Sequence, residues 1–137
     1  MTTVERVVAL QRVPFFAQVP GRALAAVAAR ATEVEVEAGA VVLEQGAVED
    51  HLFAVVTGRL LARQGEHVLR QLEAGATVGE LAALAPEPRS ATVTAQTPCL
   101  LLRIDRPVLD ELLADHPELA RAVITSLVQM IRSSRPT

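Results

Sequence analysis

The chain has 137 residues, 50% of them hydrophobic, and a formal net charge of −3, enough for one domain with its own core. All 13 basic residues are arginine, spread along the chain, and with three Phe and no Trp or Tyr neither a DNA-binding charge footprint nor an aromatic platform for single strands is present. The single cysteine, Cys99, excludes an internal disulfide and fits a reducing compartment. No apolar run approaches the roughly 20 residues of a membrane helix, and Glu5 and Arg6 interrupt any signal-like stretch. A cytoplasmic location is expected.

Residues 3–12 carry Val4, Val7, Val8 and Leu10 at loosely helical spacing, with Thr2 or Thr3 as N-cap. Pro14 stops that helix. Pro20 introduces an Ala-rich second helix that runs to about Ala31. From Thr32 the period changes to strict alternation, T-E-V-E-V-E, a half-buried strand. Val41–Glu44 and Leu52–Val56 are further strands, punctuated by Gly39, Gly46 and Gly58. Arg59–Arg63 and His67–Leu72 flank Gln64–Gly65 as a hairpin. Ala91–Ala95 and Leu100–Ile104 complete about eight strands, which predicts a mainly β jelly roll, a double-stranded β-helix, with flanking helices.

Asp105 is placed to cap a helix with Pro107 in its first turn and Val108, Leu109, Leu112 and Leu113 on its apolar face. Pro117 opens the last helix, with Leu119, Val123, Ile124, Leu127, Val128 and Ile131 on one apolar stripe. Arg132–Thr137 is expected to fray. With no repeat and no low-complexity segment, residues 1–137 read as one domain: N-terminal helices 3–31, a β-roll 32–104 and C-terminal helices 105–132.

The informative stretch is Val78–Thr92, V-G-E-L-A-A-L-A-P-E-P-R-S-A-T. Gly79 lets the backbone approach a ligand closely. A helical turn over Leu81–Leu84 aims free N–H groups at one spot and favours an anion. Arg89 adds a permanent charge and a planar fork of donors suited to phosphate oxygens. Ser90 adds a hydroxyl, and Ala91 is small enough for its N–H to come near. Glu80 is the misfit: a carboxylate repels phosphate but accepts from a hydroxyl nearby. Anion plus hydroxyl at fixed separation describes a ribose phosphate.

This stretch resembles the phosphate-binding cassette of the cyclic nucleotide-binding domain family, F-G-E-L-A-L followed a few residues later by P-R-A/S/T-A-T. Gly79, Glu80, Leu81, Ala82, Pro88, Arg89, Ser90, Ala91 and Thr92 match, and the interval from Glu80 to Arg89 has the family's usual length. V-P-F-F at 13–16, A-G-A-V-V at 38–42, E-Q-G at 44–46 and D-H-L-F-A-V-V-T-G at 50–58 extend the resemblance from about Val8 to Ile131. Val78 stands where the family has Phe, Ala83 where it often has Leu, and Pro86 where many members have Gly; none of these removes a phosphate ligand.

The resemblance implies a sensor of cAMP or cGMP, not an enzyme, with no cofactor beyond that ligand and a C-terminal helix that moves on binding. Arg89 would neutralise the phosphate, with Gly79, Leu81, Ala82, Ser90 and Ala91 around it, and Glu80 would accept from the ribose 2′-hydroxyl. The hairpin spanning Arg59–Leu72 would close on the base through Ala62 and Arg70, and Met130, Ile131 or Arg132 would form a lid. In some relatives a hydroxyl residue at the position of Ser90 touches guanine, so both bases fit. The output partner would be an effector protein or a fused domain. The rival readings are an interaction module that keeps the fold without nucleotide, and a jelly-roll metalloenzyme. The second needs His-x-His plus a carboxylate and a later His, a spacing that His51, His67 and His116 lack. Cys99 is read as core packing.

Overall fold

Local chemistry sets where the helices begin and end. In the computed structural model, which describes residues 1–134, helix α1 (Thr3–Gln11) opens on a capping box. Thr2 Oγ1 accepts from the Glu5 N–H at 3.1 Å and Glu5 Oε1 accepts from the Thr2 N–H at 3.3 Å. Pro14 opens a 3-10 turn (Pro14–Phe16), and α2 (Gly21–Arg30) follows. The Phe15 and Phe16 rings meet edge to face at 4.9 Å and are both fully buried, a favourable aromatic geometry. Helix α4 (Arg106–Asp115) buries Leu109 and Leu112, and α5 (Pro117–Ser133) buries Leu119, Ala122, Val123 and Ser126. Among the described residues, 1–30 and 107–134 form one compact unit.

The apolar stripe expected on α5 divides in the structure. Leu119 and Val123 are buried, but Ile124, Val128 and Ile131 are 59%, 38% and 60% exposed. The buried face runs instead through Ala122 and Ser126. Helix α5 packs against the Pro14–Phe16 turn, which carries the two phenylalanines. The helix also continues through Ser133, with Ser134 as its C-cap, so the expected fraying does not begin at Arg132. Residues 135–137, also read as frayed, lie outside the described residues.

The second compact unit is Ala31–Arg106. Its strands are β1 (Thr32–Val36), β2 (Val41–Leu43), β3 (Val48–Glu49), β4 (His51–Thr57), β5 (Leu60–Gln64), β6 (His67–Leu72), β7 (Thr77–Val78), β8 (Glu87–Pro88), β9 (Thr92–Ala95) and β10 (Cys99–Asp105). One antiparallel sheet has the order β1-β10-β4-β7, the other β2-β9-β5-β6, and β3 pairs with β8 as a separate ribbon. The inner faces share one core: Phe53, Val55, Val78, Cys99 and Leu101 from the first sheet, Leu43, Leu60, Ala62, Leu72, Val93 and Ala95 from the second. This is the mainly β jelly roll with flanking helices that the sequence predicts, and Cys99 packs in its core.

Two details differ from expectation. The β3–β8 ribbon has two residues per strand and includes Pro88, too short for alternation to show and unable to donate from its proline. In the hairpin, Gln64 still pairs with His67, so the two-residue loop is Gly65–Glu66, with Gly65 at φ +56°. At Gly58, φ is +96° and an added Cβ would lie 2.5 Å from the Pro98 carbonyl oxygen and 2.6 Å from Cys99 Sγ. The chain can pass so close to Cys99 only without a side chain. Among the described residues no helix is long and apolar enough to cross a membrane.

Candidate functional site

The site grows from the pairing of β7 with β4, Phe53 opposite Val78, which delivers the chain to Gly79. Gly79 has φ +81° and is the N-cap of α3 (Glu80–Leu84). A Cβ here would strike the Arg89 guanidinium and come within 2.8 Å of the His51 carbonyl oxygen. Glycine is therefore required twice, for the left-handed backbone and for the space. The first bond of the turn runs from the Ala83 N–H to the Gly79 carbonyl, 3.1 Å, so the N–H groups of Glu80–Ala82 lie ahead of it. After α3 the chain joins the β3–β8 ribbon. The Arg89 N–H donates to the Ala47 carbonyl at 2.8 Å, and the Gly46 N–H donates to the Arg89 carbonyl at 2.9 Å. The main chain on both sides of the arginine is thus pinned.

A cavity of about 240 Å³ opens between these pieces. Gly79, Glu80, Leu81 and Ala82 form one part of its wall, Pro88, Arg89, Ser90 and Ala91 another, and buried Leu43, Leu72, Val78 and Val93 supply an apolar part. Arg89 is 6% exposed. Its Nη2 donates to the His51 carbonyl at 2.6 Å and its Nη1 reaches the Gly79 carbonyl at 3.5 Å, while Nε is buried without a partner. Burial lowers the Arg89 pKa from its ordinary value, against the opposing effect of Glu49, Asp50 and Glu80. An arginine nonetheless stays charged. Among the described residues no carboxylate lies within ion-pair distance of it. The wall thus carries one desolvated positive charge with donor capacity left over, which favours a monovalent anion.

Every residue expected at the phosphate lines this cavity, as do Ala62 and Arg70 of the hairpin. Ala62 is buried and also belongs to the roll's core, whereas Arg70 and Leu81 are exposed. Met130, Ile131 and Arg132 sit on α5 in the helical unit, Met130 half-buried and the other two exposed. Sequence reasoning did not single out His51 for this site. Its contribution is a main-chain oxygen, which no residue type announces. Its ring instead meets Glu49, Nε2 to Oε2 at 3.2 Å, and packs edge-on to Phe53 at 5.1 Å. His116 pairs with Glu118 at 3.3 Å. Among the described residues no three His, Cys, Asp or Glu side chains gather as a metal site.

Residues 33–116 match the family model described as the cyclic nucleotide-binding domain. A cyclic nucleotide-gated potassium channel of Rhizobium etli is 34% identical over 111 residues, 81% of this chain and 31% of the channel. A cAMP-dependent protein kinase regulatory subunit of Blastocladiella emersonii is 34% identical over 104 residues, 72% of this chain and 26% of the subunit. The chain therefore spans less than a third of the length of these relatives. Among solved structures, the N-terminal domain of a transcriptional regulator from Streptomyces coelicolor A3(2) is similar with a TM-score of 0.84 at 27% identity, covering 92% of this chain and 91% of that one. The regulatory domain of Toxoplasma gondii PKA, co-crystallised with cAMP, gives 0.75 at 26% identity over 80% of this chain and 44% of that one.

Proposed function

The chain belongs to the cyclic nucleotide-binding domain family, and from that premise we propose that it binds cAMP or cGMP in the cavity beside Arg89 and acts as a regulatory sensor. The family is a regulatory binding domain rather than a catalytic one. The observation that carries the reading is Arg89: a buried guanidinium, held by main-chain carbonyls and facing a cavity, with its charge left for a ligand. A cyclic phosphodiester brings one negative charge, which matches it. Glu80, half-buried in the same wall, is an acceptor for the ribose 2′-hydroxyl.

Ala62 and Arg70 would face the base, and Met130, Ile131 and Arg132 would provide a lid when α5 changes position on binding. That movement is a population shift driven by differential ligand contacts. The signal then passes to an effector protein or a fused output domain in the cytoplasm, a compartment that suits the free thiol of Cys99.

The test is thermal unfolding with and without cAMP and cGMP, beside Arg89→Ala. Ligand at a hundred times its dissociation constant stabilises a fold by about 2.7 kcal/mol, a midpoint rise of roughly 5–15 °C for a domain of this size. A rise that vanishes in the variant supports the sensor. No rise with either nucleotide, in folded protein free of bound ligand, favours the nucleotide-independent interaction module.

A further inference from the structure

The tip of the β5–β6 hairpin is tied to the segment that follows Arg89. Gln64 Nε2 donates to the Ser90 carbonyl at 2.9 Å. The Gly65 N–H donates to Gln45 Oε1 at 3.3 Å, and the Gln45 N–H donates to Thr92 Oγ1 at 3.0 Å. The circuit thus closes around Ser90, Ala91 and Thr92. All three bonds are solvent-exposed, where a hydrogen bond adds little to the stability of a fold. Their geometric consequence is larger. In a trans peptide the N–H points away from the C=O on the opposite side of the same plane. Holding the Ser90 carbonyl therefore fixes the direction of the Ala91 N–H. Ala91 lines the cavity, and among the described residues its N–H has no main-chain acceptor.

We infer that Gln64 is a positioning residue for the nucleotide phosphate, aiming the Ala91 N–H at one of its exocyclic oxygens. The inference rests on the cyclic-nucleotide reading of the cavity. Gln64 never touches the ligand. It acts through the peptide between Ser90 and Ala91, which it orients and, by donating to the carbonyl, polarises. An exposed glutamine on a hairpin tip thereby completes a site whose buried arginine lies on another strand connection.

The experiment uses Gln64→Met, of similar length but without a donor, beside wild type and Arg89→Ala. Dissociation constants are measured for cAMP, cGMP and both phosphorothioate diastereomers of each, in which sulfur replaces one or the other exocyclic oxygen. The expected result is affinity about three- to tenfold weaker, one lost neutral hydrogen bond, with the unliganded melting midpoint unchanged. The affinity ratio between the two diastereomers should also shift, because only one oxygen faces the Ala91 N–H. Unchanged affinities and an unchanged ratio in Gln64→Met, with binding lost in Arg89→Ala, overturn this inference and leave the nucleotide reading standing. A lowered midpoint with the ratio preserved overturns it too, since Gln64 would then be only a structural brace. Failure of the wild type to bind either nucleotide overturns both.

Discussion

The Arg89 guanidinium hangs on the main chain of His51, Nη2 to carbonyl oxygen at 2.6 Å. A carbonyl orients a guanidinium without cancelling its charge, which a carboxylate would do. The main chain therefore holds the Arg89 guanidinium in place, and among the described residues no carboxylate pairs with it directly. Preorganised charge of this kind costs the protein stability and returns it as affinity for an anion.

Arg89→Ala should abolish nucleotide binding. Leaving a partly buried phosphate without its cation costs about 3–5 kcal/mol, a hundred- to several-thousand-fold loss in affinity. Arg89→Lys should fall between the two, because an ammonium keeps the charge but cannot span two carbonyls and an anion with a rigid fork. Isothermal titration of the three proteins checks the order, and a lysine variant equal to wild type would show that charge alone matters.

Gly79→Ala and Gly39→Ala separate backbone strain from crowding. Both glycines have positive φ, but a Cβ at Gly39 meets nothing within 4 Å while one at Gly79 meets Arg89 and His51. Each variant should lose about 1–2 kcal/mol from the left-handed backbone. Gly79→Ala alone should also displace the guanidinium and lose nucleotide affinity by at least about tenfold, roughly 1.4 kcal/mol. Urea unfolding and titration of both variants read the two effects independently.

The parts of this site that were legible in sequence are those that a residue type must supply. Gly79, Glu80 and Arg89 each carry a property no substitute shares, and their order along Val78–Thr92 pointed to the cavity the structure forms there. The roll was legible because T-E-V-E-V-E and the spaced glycines state strand period and turns. What escaped is carried by main chain or by packing. The His51 carbonyl and the β3–β8 ribbon leave no mark in residue type. On α5 the buried face includes Ala122 and Ser126 while Ile124, Val128 and Ile131 are exposed, an outcome that side-chain hydrophobicity does not encode. The tie from Gln64 to Ser90 spans 26 positions and depends on the hairpin's register, fixed by Gln64 opposite His67.

Glu80 should make the site reject 2′-deoxy ligand. A carboxylate that accepts from the 2′-hydroxyl is left unpaired when the hydroxyl is missing. Removing a hydrogen bond to a charged group costs about 1.5–3 kcal/mol, so 2′-deoxy-cAMP should bind wild type at least about tenfold more weakly than cAMP. In Glu80→Ala the two ligands should bind alike, because the discriminating group is gone. A preference for the ribose form that survives in Glu80→Ala would assign the discrimination to another residue.

The His51 ring predicts a stability change on mild acidification that its carbonyl role does not share. Burial, and then Arg103, lower its pKa from 6.5, with Arg89 adding to the fall and Glu49 and Asp105 opposing it. The fold therefore prefers the neutral ring. Between the folded-state pKa and 6.5 the unfolded chain binds more protons than the folded one, so stability rises with pH across that window. The contribution is complete above 6.5 and is lost as pH falls through the folded-state pKa, with a slope of at most about 1.4 kcal/mol per pH unit. His51→Gln removes the titration and should flatten the curve of unfolding free energy against pH below 6.5 relative to wild type. Because Arg89 is held by the main-chain oxygen, the same variant should bind nucleotide normally at neutral pH. Superimposable pH curves would sink the burial argument, and a large loss of affinity would show that the ring, not only the carbonyl, sets the position of Arg89.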